Sequence, residues 1–202
     1  MTMQQARLLI LGDSFSADWR QDYPNSKGWP TLLEESFSVT NLSQCGCSEY
    51  RIARQLETVD PADFDYVVVS HTSPYRLYAP HHPAYDCNSM HRHCDFLYSD
   101  VEAHHELYPE LLCVKEYFET FFDLEHAKFQ HRLTIEHIER TLTEYAIPVL
   151  HIAHIDWQEL YTPQFFRCYS DIWQKERGTI NHYTDRGNKT VAQDIVDYFN
   201  KH

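Results

Sequence analysis

A layered α/β fold around a mostly parallel sheet is what this 202-residue sequence predicts, and three observations predict it. Short apolar runs at 8–11, 66–69 and 147–152 have the length and composition of buried strands. Between and after them lie stretches whose apolar residues recur at three- and four-residue steps, the mark of amphipathic helices. Strands that alternate with helices along a chain imply parallel crossovers and helices packed on a sheet.

Taken in order, the first strand spans about 7–12 and ends at Gly12, whose missing Cβ permits a sharp exit from the sheet. A helix over about 28–37 begins near Gly28-Trp29-Pro30, since proline suits a first helical turn. A second strand covers about 38–42. The helix over about 48–58 carries Tyr50, Ile52, Ala53 and Leu56, and the third strand runs over about 64–70. The fourth strand is Ile147-Pro148-Val149-Leu150-His151-Ile152, with its proline at the opening, where the ladder tolerates it. A final helix over about 184–200 is capped by Thr184 or Asp185 and places Val191, Ile195 and Tyr198 or Phe199 on one face. That gives four strands, and a fifth has no clear signal. One domain over 1–202 is expected, because two halves would each be too small for a substantial core.

A long insertion over about 75–145 separates the third and fourth strands. Its second half reads as helix, with Phe129, Leu133, Ile135, Ile138 and Leu142 at helical steps. Its first half, about 77–100, is rich in Pro, His, Tyr and Cys without a period. Loops of that length without regular structure tend to be functional or disordered. Leaving the carboxyl edge of a central strand, it is expected to overhang the first strand's exit and shape a site there.

Chemistry concentrates at the two ends of the chain. Leu8-Leu9-Ile10-Leu11 runs into Gly12-Asp13-Ser14-Phe15-Ser16. Ser14 thus falls just past a strand's carboxyl end, where open α/β sheets hold ligands, and a serine there becomes a nucleophile when a base reaches it. His182 lies in a polar loop ahead of the last helix. The pairing of Gly12-Asp13-Ser14 with a late histidine resembles the SGNH (GDSL-type) hydrolase family. The resemblance implies a three-layer, flavodoxin-like α/β/α sandwich of four or five strands, with Ser14 as nucleophile and His182 as its base.

Its other blocks map in order. In Val39-Thr40-Asn41-Leu42-Ser43-Gln44-Cys45-Gly46, the resemblance assigns Gly46 an oxyanion-holding N–H and puts Asn41 beside the substrate. The third block, normally Gly-x-Asn-Asp, reads Ser70-His71-Thr72-Ser73-Pro74-Tyr75-Arg76 here and lacks the asparagine. Thr72 or Ser73 is expected to supply a hydroxyl in its place, or His71 an imidazole N–H. Arg76, near the mouth, is expected to hold a substrate carboxylate or phosphate, or else to pair with an acid. The fifth block is usually Asp-x-x-His, yet Thr179 stands three before His182; Asp171, Glu176, Asp185 or a backbone carbonyl remain to orient the ring. A Ser-His dyad is the working model.

Composition narrows the partners. A formal charge of −13 argues against nucleic acid and anionic membranes. No apolar run of transmembrane length and no export pattern are present, so a cytoplasmic location is expected. The six cysteines at 45, 47, 87, 94, 113 and 168 form no C-x-x-C pair and are expected reduced; Cys45 and Cys47 read as small loop residues. With five glycines and no Gly-rich phosphate loop, no nucleotide cofactor is expected. His81, His82, Cys87, His91, His93, Cys94 and Asp95, with His104 and His105 beyond, are metal-ligand types, but their spacing fits no familiar site. The expectation is therefore a serine esterase acting on a small acyl ester, such as an O-acetyl group of a carbohydrate or small molecule, with no cofactor and no metal. The alternatives are an inactive binding protein on the same fold and a metal-dependent hydrolase using the histidine-rich insertion.

Overall fold

A computed structural model of the chain describes residues 5–85, 91, 94–155 and 166–201. Its centre is one five-stranded sheet in which every pairing is parallel: β1 (Arg7–Gly12), β2 (Ser38–Asn41), β3 (Tyr66–His71), β6 (Val149–Ala153) and β7 (Phe166–Cys168), in the order β2-β1-β3-β6-β7. Counted within the sheet this is the order 2-1-3-4-5 of flavodoxin-like folds, with the crevice between the first and third strands as its switch point. The fifth strand is the edge strand Phe166–Cys168, three residues with an exposed Arg167 at the middle. It is too short and too polar to show as an apolar run.

Alternation along the strands makes two cores. Leu8, Ile10, Val68, Leu150 and Ile152 face α1 (Trp29–Leu32) and α7 (Asp185–Phe199), meeting Trp29, Val191, Ile195 and Phe199. Leu9, Leu11, Val67 and Val69 face α2 (Glu49–Leu56) and α5 (Leu124–Thr143), meeting Ile52, Leu56, Ile138 and Leu142. Period-two side chains with helices on both sides make the three layers. The helix expected over 28–37 is one α-turn followed by a 3₁₀ turn at Leu33–Glu35. Trp29 and Leu33 still reach the core from it.

The insertion opens with a hairpin of two-residue strands, β4 (Arg76–Leu77) and β5 (Phe96–Leu97). It continues through α3 (Tyr98–His104) and α4 (Leu112–Thr120) into α5, whose buried stripe is His131, Ile135, Ile138 and Leu142. Phe129 and Leu133, expected on that stripe, are exposed, because the buried face follows 131, 135, 138 and 142 instead. Two short elements, α6 (Ser170–Lys175) and β8 (Arg177–Ile180), lead to the last helix. Among the described residues no helix is long and apolar enough to cross a membrane.

Candidate active site

The exit from β1 is built by close approach. A Cβ on Gly12 would lie 2.7 Å from the Ser70 Cβ, so only glycine lets β1 and β3 stay paired there. The α2 side chain of Gln55 brackets that glycine, accepting from its N–H at 2.8 Å and donating to its carbonyl at 3.0 Å. Beyond it the Asp13 carboxylate accepts the Phe15 N–H at 3.0 Å, and the Asp13 carbonyl accepts the Ser16 N–H at 3.0 Å. These bonds turn the chain so that Ser14 stands at the carboxyl end of the sheet.

His182 reaches it from the other end of the chain. Its Nε2 lies 2.8 Å from the Ser14 Oγ, across 168 residues of sequence. Asn181 and His182 both hold positive φ, 49° and 62°. A pair of left-handed residues costs of order 1–3 kcal/mol each and persists only where the surroundings enforce it. The Asn181 amide enforces it, donating to the Ala17 carbonyl at 2.9 Å and the Ser14 carbonyl at 3.4 Å. The returning chain adds backbone bonds from Gly178 N–H to the His182 carbonyl and from His182 N–H to the Thr179 carbonyl. The ring itself packs on Phe15, with centroids 4.3 Å apart, and meets the edge of Trp19. Phe15 is in turn stacked on His154, whose ring nitrogens meet Ser70 Oγ at 3.0 Å and the Tyr183 hydroxyl at 2.6 Å.

Burial lowers the affinity of His182 for a proton and Arg76 lowers it further, while Asp13 opposes both; the net direction is below the ordinary histidine value. The imidazole is therefore neutral near neutral pH, the form a base needs. Among the described residues no carboxylate hydrogen-bonds its Nδ1. Glu176 is engaged with Thr184 and Arg186, and Asp171 and Asp185 are exposed.

Gly46 holds φ 75°, and a Cβ there would come within 2.3 Å of the Cys94 Cβ, so the returning insertion fixes this turn from above. The Gly46 carbonyl accepts from Asp95 N–H at 2.9 Å and from Arg76 Nη1 at 3.2 Å. Asp95 is buried and paired with Arg51 at 2.8 Å. Cys45 and Cys47 are buried and burial pushes both thiols up, so neither is a thiolate.

The third-block residues separate. Thr72 donates its hydroxyl proton to Asp13 Oδ2 at 2.8 Å and accepts from Arg76 Nε at 3.1 Å. Ser73 lines a cleft of about 430 Å³ beside α2 and α5 together with Arg76, Tyr78, Glu49 and His131, and neither Ser14 nor His182 lines it. His71 points to the opposite face of the sheet, since consecutive strand residues alternate. Its two ring nitrogens meet Glu49 Oε1 at 2.7 Å and His151 Nδ1 at 2.8 Å, so it is no donor to the Ser14 site. The Asn41 amide donates to the Ser16 carbonyl at 2.8 Å and its oxygen accepts the Ser43 N–H, so it ties two loops together instead of facing a substrate.

Cys87 and His93 lie outside the described residues, as does part of the expected overhang, 86–90 and 92–93. Among the described residues no group of three His, Cys, Asp or Glu side chains is arranged to hold a metal ion. Asn181, Gln55 and Glu49 are the structural residues that reading the sequence missed. Asn181 alone carried a local signal, as an asparagine, a residue tolerant of left-handed φ, directly before the histidine.

No protein-family model matches the sequence, and no curated protein matches it. Solved structures do. The acetyl xylan esterase AlAXEase is 11% identical with a TM-score of 0.39, over 72% of this chain and 57% of that one, so the match spans little more than half of the esterase's length. A protein assigned to the G-D-S-L lipolytic family, from Desulfitobacterium hafniense DCB-2, is 13% identical with a TM-score of 0.37, over 94% of this chain and 97% of that one.

Proposed function

We propose that the protein is a serine hydrolase that cleaves an ester, with Ser14 as nucleophile and His182 as base. The observation that carries this reading is the 2.8 Å contact between Ser14 Oγ and a neutral His182 Nε2. Ser14 attacks the acyl carbonyl as its proton passes to Nε2. The carbonyl oxygen becomes an oxyanion held by the backbone N–H groups of Ser14 and Gly46. The tetrahedral adduct collapses, His182 returns its proton to the leaving alcohol, and an acyl-serine remains. A water molecule, deprotonated by the same histidine, then releases the acid and regenerates the serine. With no carboxylate on Nδ1 among the described residues, the ring is held by its backbone and by Phe15. The substrate is a small acyl ester of a carbohydrate or other small molecule, met in the cytoplasm.

The lack of a carboxylate partner for Nδ1 among the described residues favours a second reading, a binding protein on the same fold that no longer turns over. One experiment separates the two. A fluorophosphonate probe is expected to label the wild-type chain at Ser14, and p-nitrophenyl acetate to be hydrolysed. Ser14→Ala and His182→Ala are expected to lose turnover by about a thousand-fold or more. Because the base works unprotonated and its pKa is lowered, kcat/KM should hold through neutral pH and fall only below the ordinary histidine range. A well-folded wild type that neither labels nor turns over would establish the binding protein.

A further inference from the structure

Neither His71, Thr72 nor Ser73 donates a side-chain hydrogen bond to Ser14. Thr72 has given its only proton to Asp13, His71 faces α2, and Ser73 lines the neighbouring cleft. Arg76 also lines that cleft, yet its guanidinium reaches back to Thr72 and the Gly46 turn, on the side of Asp13 and Ser14. It starts strand β4, so the hairpin with Phe96–Leu97 fixes its backbone, and the same hairpin carries Cys94 and Asp95 onto Gly46.

Its side chain is clamped at two points. Nε donates to Thr72 Oγ1 at 3.1 Å and Nη1 to the Gly46 carbonyl at 3.2 Å. Both acceptors are themselves fixed, Thr72 through Asp13 and Gly46 through Asp95. A guanidinium is planar and carries five N–H donors, so two anchored nitrogens fix the directions of the rest. These two contacts use two of the five. The plane therefore spans the gap between the Gly46 turn and the end of β3, beside the Asp13-Ser14 turn. Its charge acts on both Asp13 and His182.

We propose that Arg76 is a catalytic residue of the Ser14 site, the third oxyanion donor, clamped between Thr72 and Gly46. The inference rests on the hydrolase reading and deepens it. In the resting protein the Asp13 carboxyl, whose proton affinity burial raises and Arg76 lowers, faces the guanidinium across the Thr72 hydroxyl. When Ser14 adds to the carbonyl, the new C–O⁻ accepts a remaining guanidinium N–H; no proton moves, because arginine stays charged throughout. A charged donor makes a shorter and stronger bond to an anion than a neutral amide. It favours the tetrahedral adduct over the flat, uncharged ester, which is differential binding of the transition state.

The test uses the full chain with Arg76→Met, Arg76→Lys and Thr72→Val, each checked for folding by near-ultraviolet circular dichroism. Two esters are compared, p-nitrophenyl acetate and p-nitrophenyl hemisuccinate, together with ethylboronic acid, which forms a charged tetrahedral adduct on serine. Arg76→Met is expected to lower kcat for both esters by about a hundred- to a thousand-fold with little change in KM. Boronate affinity should fall in proportion, and Arg76→Lys should recover part of each. Thr72→Val, which keeps the charge and loosens the clamp, should cost less than Arg76→Met. A rise in KM confined to the hemisuccinate would show that Arg76 binds a substrate carboxylate instead. Lost turnover with unchanged boronate affinity, or a Thr72→Val loss as large as that of Arg76→Met, would reduce Arg76 to positioning and overturn the proposal. If Arg76→Met does not fold, Arg76→Lys with wild-type boronate affinity and turnover, or with both abolished, overturns it equally. Absence of Ser14 labelling in the wild type would fail the hydrolase reading itself, whereas a labelled wild type with an unaffected Arg76→Met fails this inference alone.

Discussion

Two regions of this molecule bury histidine close to a partner that exchanges protons, and they are built to opposite ends. At the carboxyl end of the sheet His182 meets a hydroxyl at 2.8 Å on a backbone held at positive φ. Under α2 and α5, Glu49, His71, His151 and His131 form a cluster in which each is less than a tenth exposed. There Glu49 Oε1 meets His71 Nδ1 at 2.7 Å, Glu49 Oε2 accepts the Thr72 N–H at 3.2 Å, and His71 Nε2 meets His151 Nδ1 at 2.8 Å. His131 from α5 approaches Glu49 Oε2 at 3.8 Å. The cluster ties β3 and β6 to the helices covering them, and the bonds of its central histidine point inward to the protein. The first region stores strain and presents a hydroxyl; the second spends its polar groups on one another. The same residue types form the proposed reactive pair or a fastener according to what they leave over.

Breaking the fastener is the sharpest way to test that contrast. His71→Ala removes the partner of Glu49 Oε1 and of His151 Nδ1 from a buried cluster and opens a cavity. Each orphaned polar group costs about 1–3 kcal/mol, so a total near 3 kcal/mol or more is expected, read as a lower denaturant midpoint. Turnover per folded molecule should stay within about threefold. Loss of activity with an unchanged midpoint would place the cluster in the active site and end the distinction.

A smaller effect should appear where the reactive pair is held. Asn181→Ala removes amide bonds to the Ser14 and Ala17 carbonyls and puts alanine at φ 49°. At about 1 kcal/mol for lost bonding and about 1 for the backbone, roughly 2 kcal/mol of stability should go. Turnover should fall about tenfold, because Ser14 and His182 are both located through this residue. Asn181→Gly tolerates the backbone and should recover part of the stability but none of the amide contribution. Equal losses for the two would show that the amide, not the backbone, is what matters, and a wild-type midpoint for Asn181→Gly would show the reverse.

The layered sheet was legible because strand interiors are apolar on both faces, and the runs at Leu8–Leu11 and Tyr66–Val69 carry that directly. Strand Phe166–Cys168 was not, since an edge strand of three residues buries too little to need apolar side chains. The contact between Ser14 and His182 was legible because the serine follows a strand's carboxyl end and the histidine precedes the last helix. Their companions were harder. The parity of His71 on β3 decides which face it takes, and a strand boundary uncertain by one residue reverses that assignment. Asn41 was assigned to a substrate because its block suggested it, whereas its amide closes a loop. Glu49 carried no sequence signal at all: an acidic residue in the first turn of a helix is ordinary for dipole reasons, and only tertiary packing shows that it is buried.

That burial makes the last difference between the regions one of pH. Burial lifts the Glu49 carboxyl from its ordinary 4.5 to about 7, with His131 and the Thr72 N–H opposing. It holds His71 and His151 down to about 3. Between about 4.5 and 7 the unfolded chain releases the Glu49 proton while the folded one keeps it, so this group's contribution to stability falls as pH rises. The two histidines act oppositely: between about 3 and 6.5 the unfolded chain binds protons the folded one refuses, and stability rises with pH. Glu49→Gln removes only the first slope, since an amide does not titrate. Measured by denaturant midpoint, the stability of Glu49→Gln relative to wild type should climb from pH 4.5 to 7 by at most about 3 kcal/mol and then level. A difference that stays flat across that range would mean Glu49 is ionised in the folded protein, paired with a protonated histidine, and the cluster would then be a buried ion pair instead of a neutral hydrogen-bonded chain.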